Sequence, residues 1–284
     1  GIIEGMDIDN NSWSHTIRGG SNVLGNATHS VIQNTNVTGN VVADSISNCS
    51  IGGSATYDTR SSCTVSGAVT TPNPNTFTAP AVLPLPIDET QIDAWEAEAS
   101  AGGTIGTQSF NSGTRTLGPV KINGDLILTN DAQVIITGTI WVTGNITLSQ
   151  TSIIRLSSGY GGLSGVIIAG VDESPTTGTI TIGQSTQALG SGTAGSYLML
   201  LSQKEGVATI AISTSQSSGS AILYAGEGMI EVSQSGSLKE ITAEKLRITN
   251  SATVTYETGL ANTNFTSGPG GGWEIQDQTW QLLQ

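Results

Sequence analysis

The sequence predicts an all-β protein, a parallel β-helix (solenoid) carrying one short α-helix and a capping C-terminal tail, and three observations predict it. The first is composition. Glycine supplies 37 of 284 residues, charged residues only 11 % and aromatics 5 %, against about 25 % charged residues in an ordinary globular chain. Ser, Thr, Asn, Ile and Val dominate instead, the residues of turns and pleated strands. The second is a repeat. INGDLILTNDAQVIIT from Ile122 returns as VTGNITLSQTSIIRLS from Val142, which sets Gly124 over Gly144, Leu126 over Ile146, Leu128 over Leu148 and Val134 over Ile154 at an offset of twenty residues. The third is a further register near the end, where residues 230–238 match residues 246–254 at an offset of sixteen.

The common unit is aliphatic, any, aliphatic, Ser/Thr/Gly, Asn/Gln. It occurs at residues 126–130, 146–150, 180–184, 230–234 and 246–250, with variants around Ile210 and Ile212. Alternating aliphatics make a short strand with one buried face, and the polar pair ends it at a corner where amide side chains can stack. A unit of this size cannot bury its apolar face alone. Stacked coil on coil, such units share one aliphatic lumen with side-chain ladders at the corners.

The elements follow in order. Residues 1–70 form an N-terminal solenoid portion, because VTGNV at residues 37–41 nearly repeats VTGNI at residues 142–146. Residues 71–103 hold a Pro-rich connection and the helix. Five of the eight prolines fall between Pro72 and Pro86, a density that excludes central strands and predicts an extended segment. In PIDETQIDAWEAEASAGG, Asp88 reads as the N-cap, Glu89 sits near the positive end, and Gly102-Gly103 stop the helix. Ile92, Trp95 and Ala99 share one face, which predicts packing against the flank or end of the solenoid. Residues 104–258 are the main β-helix. Residues 259–284 lose the repeat and gain Phe265, a Gly-Pro-Gly-rich run, Trp273 and Trp280. An open solenoid end exposes unpaired backbone, so these aromatics are expected to cover it; failing that, Trp273 and Trp280 are the candidate partner surface.

Cys49 and Cys63 have thirteen residues between them and no partner at zinc spacing. One disulfide is the preferred reading, a pair of buried thiols the alternative. The formal charge of −13 repels phosphate backbones and anionic membrane surfaces, so nucleic acid is not an expected partner. No apolar run is long enough for a membrane span. The chain reads as an extracellular or cell-surface segment whose targeting residues lie outside it.

No constellation of catalytic, cofactor or metal type stands out. The carboxylates are dispersed along the chain. Asp172-Glu173 lies in an apparent loop, with neither His15 nor His29 near it in sequence. Asp7-Ile8-Asp9-Asn10-Asn11 begins like a calcium loop but has Ser12 and Arg18 where Gly and Glu are required. Gly159-Tyr160-Gly161-Gly162 lacks the Lys-Ser/Thr of a phosphate loop. Glycosylation sequons such as those at Asn26, Asn36, Asn48, Asn145 and Asn264 are expected by chance in this composition. The Thr pairs at 137/139, 177/179 and 253/255 recur at irregular offsets and so do not predict an ice-binding face.

LGPVKINGDLIL at residues 117–128 and GTIWVTGNITL at residues 138–148 resemble the solenoid of PilX-like proteins, minor-pilin relatives with a C-terminal β-helix. The resemblance continues through GSYLMLLS at residues 195–202 and YETGLANTNFTSGPGGGW at residues 256–273. It covers the last 170 or so residues well and the first hundred loosely. It implies a surface-exposed protein, anchored or pilus-associated through a hydrophobic N-terminal helix that is not among these residues. The expected function is a non-enzymatic extracellular structural or adhesive module, with cell-surface or pilus components as partners. The alternatives are a polysaccharide-binding or polysaccharide-cleaving β-helix, for which glycans are the partner, and a self-assembling fibre subunit, which implies homo-assembly.

Overall fold

The computed structural model describes residues 2–74, 77, 85–215, 221–233, 240–249 and 265. The chain divides into two compact units, Gly1–Pro84 and Leu85–Gln284, and is a parallel β-solenoid of about 13 turns. All strand pairings among the described residues are parallel, as the predicted stacking requires.

The N-terminal unit runs on a repeat that the sequence comparison did not isolate. NATHSVIQNTNVTG (residues 26–39), NVVADSISNCSIGG (40–53) and SATYDTRSSCTVSG (54–67) are successive fourteen-residue coils. The lumen is built from in-register columns: Ile3, Ile17, Ile32 and Ile46 form one, and Ile8, Val23, Val37, Ile51 and Val65 another. Each coil turns through the same corners. Asn26 N donates to Asn11 Oδ1, Asn40 N to Asn26 Oδ1 and Ser54 N to Asn40 Oδ1, all at 2.8 Å. Stacking is tight there, since a Cβ on Gly39 would collide with the carbonyl oxygen of Gly25. At a second corner Asn34, Asn48 and Ser62 adopt positive φ (49°, 48° and 53°), a conformation that Asn tolerates better than most residues.

The last coil of this unit differs from the others. The inward isoleucine column ends in Arg60, which pairs in register with Ile46, and Tyr57, fourteen residues after Ala43, is buried in the same core. The column of Ser21, Thr35, Cys49 and Cys63 closes with a disulfide, Cα–Cα 4.5 Å. The cysteines thus occupy equivalent places on adjacent coils. Of the Pro-rich residues that follow, residues 71–74 and Phe77 are described, and they contact this unit. Asn73 N donates to Asp58 Oδ1 (2.8 Å) and Asn73 Nδ2 to Ala43 O (3.2 Å), while Phe77 meets the His15 ring edge-on at 6.1 Å.

In the C-terminal unit the predicted registers are the observed ones over the described residues, the sixteen-residue one at residues 230–233 against 246–249. Leu126, Ile146, Ile180, Ile212, Ile230 and Leu246 stack as one column, and Val134, Ile154 and Ala188 line a second sheet. Corner residues Asn130 and Gln150 adopt positive φ, 53° and 61°, and Asn130 N donates to Gln150 Oε1 at 2.8 Å. A second corner ladder joins Asn145 N to Asp125 Oδ1 (2.8 Å) and Thr179 N to Asn145 Oδ1 (3.0 Å). The first coil of this unit carries Gln108 against Leu126 and Arg115 against Val134. Both are polar residues in aliphatic columns.

The helix spans Glu89–Ala101. Asp88 caps it by accepting from Gln91 N at 2.9 Å, and Gly102 ends it. Its buried residues are Ile92, Trp95 and Ala99, the predicted face. It packs on the flank. Val166, Ile168, Met199, Leu201, Ile222 and Tyr224 present apolar side chains on the outside of the sheet, and Ile92 and Trp95 cover them in a cluster separate from the lumen. Phe265, expected at the open end, instead sits on this flank: it bridges Ser164 and meets Trp95 edge-on at 6.2 Å.

Candidate functional site

Two constellations bring chemically capable side chains together, and the sequence singles out neither. The first lies where the helix meets the flank. Although the carboxylates are scattered in sequence, the fold groups five of them: Asp88, Glu89 and Asp93 from the helix start, Asp172 and Glu227 from the sheet. Burial raises the Glu89 pKa, and the negative charges of Asp172, Asp93, Glu227 and Asp88 raise it further. One turn on, burial pushes Glu96 up to about 7, assisted by Asp93 and Glu89, while the nearby Gln203 side chain and the charge of Lys121 pull the other way. Lys121 lies over the Trp141 ring, 3.6 Å from its centroid, and Trp141 Nε1 donates to Gly170 O at 2.8 Å. Glu98 is also raised by burial and accepts from Thr139 Oγ1 at 3.1 Å. At Glu89, Glu96 and Glu98, burial against the packed helix surface shifts the balance toward the neutral carboxyl.

The second constellation is in the lumen of the N-terminal unit. His29 is fully buried, in the column of Ser14 and Ala43. Its Nε2 is 2.8 Å from Ser12 Oγ, and its Nδ1 is 2.9 Å from Ser14 Oγ and 3.1 Å from both the N and the O of Ser14. Burial pushes its pKa down to about 4 against the opposing bond to the Ser14 backbone. The Ser12–His29 distance suits a nucleophile and base, but the surroundings do not. The ring is oriented by backbone, not by a carboxylate, and at neutral pH so weak a base takes little proton. The nearby amides are also committed, Ser12 N to Asn26 O and Ser14 N to the ring. His29 is a hydrogen-bonded core residue.

The remaining candidates resolve individually. Cys49 and Cys63 are bridged. Trp273 and Trp280, with the expected tail cap, lie outside the described residues. Of the calcium-like run, Asp7 Oδ1 accepts from Asn22 Nδ2 (2.6 Å) and Asn11 Oδ1 from Asn26 N (2.8 Å), so these are solenoid ladder groups. Among the described residues no three His, Cys, Asp or Glu side chains converge as metal ligands. The glycine string at residues 159–162 is a turn that inserts Tyr160 into the core. Thr137 and Thr139 bond to Gly118 O and Glu98, and Thr179 accepts from Lys204 Nζ (2.8 Å), so these threonines do not form one array. Asn26 and Asn145 belong to corner ladders. On the outer face His15 and Asp44 lie one coil to either side of Ser30, yet Ser30 Oγ donates directly to Asp44 Oδ2 (2.7 Å) and His15 pairs with Thr16. That order of bonds leaves no base on the serine.

Fold and side-chain usage together define a disulfide-bridged parallel β-solenoid with a helix-covered flank. Comparison of the chain with protein-family models, with curated proteins and with solved structures found no match.

Proposed function

We propose that the chain is a non-enzymatic extracellular structural or adhesive module of a cell surface or pilus-like apparatus. The observation that carries the reading is the use of the repeat positions. Lumen places are filled for packing, corner places carry coil-to-coil ladders, and the disulfide ties equivalent points of adjacent coils where it resists peeling of the last one. The resemblance of residues 117–148 to PilX-like solenoids supplies the pilus-like context. The bridge favours an oxidising compartment, and no described helix is long and apolar enough to cross a membrane.

A polysaccharide-binding reading is kept for one observation. Trp13 is 58 % exposed on the outer sheet face, at a place where the next coils carry Thr28, Val42 and Thr56. An aromatic face in that setting suits stacking on a sugar ring. Immobilised chain is tested against a panel of acidic and neutral glycans and against intact cells, with reducing ends monitored. Adhesion to cells without new reducing ends supports the module. Release of reducing ends by the purified chain overturns it, and saturable glycan binding lost in Trp13→Ala moves the reading to carbohydrate.

A further inference from the structure

Two ends of the solenoids lie within the chain, one at the last coil of the N-terminal unit and one at the first coil of the C-terminal unit. Each has edge strands to which no further strand pairs among the described residues: Thr59–Ser61, Thr64–Val65 and Val69–Thr70 at the first, Thr104–Phe110 and Thr114–Leu117 at the second. Such edges are templates for another chain. At both, one lumen column changes character at its final rung. Ile3, Ile17, Ile32 and Ile46 lead to Arg60, and Ala188, Ile154 and Val134 lead to Arg115.

Register places these arginines on the lumen side, yet both residues are exposed. Arg60 lies over the Tyr57 ring, 5.8 Å from the centroid, and Arg115 Nη1 bonds to Thr114 O at 2.9 Å. Both satisfactions are local and leave the guanidinium hydrated. A further coil laid on either edge would strip that water and offer an aliphatic rung in exchange, leaving a buried cation unpaired. Gln108 adds to the second end, since its Nε2 is turned back to Gly106 O (2.8 Å) in the column of Leu126.

We infer that Arg60 and Arg115 are gatekeepers that close these two ends to any further parallel coil, and in particular to a second copy of this chain. The inference is independent of the adhesive reading. It opposes the fibre-subunit alternative for these two ends only.

The test compares the full chain with Arg60→Ile/Arg115→Val and with Arg60→Lys/Arg115→Lys by sedimentation over a concentration series. The apolar double variant is expected to associate at a concentration lower than the wild type by roughly tenfold or more, and the lysine variant to behave as the wild type. Because an apolar residue could also disturb its own coil, the folded proteins are treated in parallel with phenylglyoxal, which masks arginine charge without refolding. Treatment is expected to bring on association of the wild type and not of the lysine variant. The inference is overturned if the apolar variant sediments as the wild type, if the lysine variant associates as readily as the apolar one, or if phenylglyoxal acts alike on wild type and lysine variant.

Discussion

Replacing Leu148 by Ala tests whether the lumen of the C-terminal unit is one continuous packed column. Leu148 is fully buried, and its rung lies in register between Leu128 and Ile182. Truncation removes three carbons, and at about 0.8 kcal/mol for each buried methylene the transfer part alone is about 2.4 kcal/mol. The hole cannot close by sliding the coils together. Ser149 N to Leu128 O (3.0 Å) and Gly183 N to Leu148 O (2.7 Å) hold the rungs at ladder spacing. A residual void of about 60 Å³ at ~24 cal/mol per Å³ adds about 1.5 kcal/mol, for a total near 4 kcal/mol. Thr147→Ala, one residue away on the outer side, is expected within about 0.5 kcal/mol of wild type. Urea unfolding measures both. Amide exchange then maps the loss, which should concentrate on residues 126–128, 146–148 and 180–182, because a coil touches only its neighbours. A cost for Leu148→Ala below about 1 kcal/mol, or equal to that of Thr147→Ala, would refute the continuous lumen.

Opening the Cys49–Cys63 bridge, by reduction or by Cys49→Ala/Cys63→Ala, is expected to cost about 3 kcal/mol in the loop-entropy account; unfolding should show the loss in Gly1–Pro84 alone, and thiol titration of the unreduced denatured chain should find no reactive thiol. His29 is held at about 4 against an ordinary 6.5, so the folded unit binds fewer protons than the unfolded chain between those values. Stability is therefore whole above pH 6.5 and falls as pH drops to about 4, by at most about 3 kcal/mol. His29→Ala, the residue that the next coil carries in this column, should flatten that dependence in acid unfolding curves. Glu96 has the opposite sign: raised from 4.5 to about 7, it supports the fold below pH 4.5 and loses that support as pH rises through 7. Discounted for partial exposure the loss is about 1–2 kcal/mol, and Glu96→Gln should remove it from the melting profile of the C-terminal unit.

What the sequence made legible was what neighbouring coils repeat without interruption. The offset of twenty put Leu126 over Ile146 and Leu128 over Leu148 because that coil has no insertion. From Ile146 to Ile180 the same column advances thirty-four residues, so the unit at residues 180–184 is readable by its pattern but not by a constant offset. The helix was readable from Asp88 to Gly102 because capping is local chemistry. The fourteen-residue coils are harder to read, because their corners are invariant in shape while their other places drift, Ala43 giving way to Tyr57 and Ile46 to Arg60, so that VTGNV resembles a corner of the other unit more closely than it resembles its own neighbours. The acidic flank and the His29 cluster were illegible for a different reason. Asp172 and Glu89 are far apart in the chain, and only the winding of the solenoid brings them together.

The constancy of the N-terminal corners has a consequence for length. Every coil there begins and ends on the same joint, the Asn at 26 handing to the Asn at 40 and that to Ser54, and each advances the axis by one strand spacing, about 4.8 Å. A fourteen-residue cassette copied in between Gly39 and Asn40 would meet on both sides the joints it already fits. This unit is in effect a ruler graduated in single coils, adjustable in the middle. The coil that holds Tyr57, Arg60 and Cys63 is its end stop, and it has to stay last.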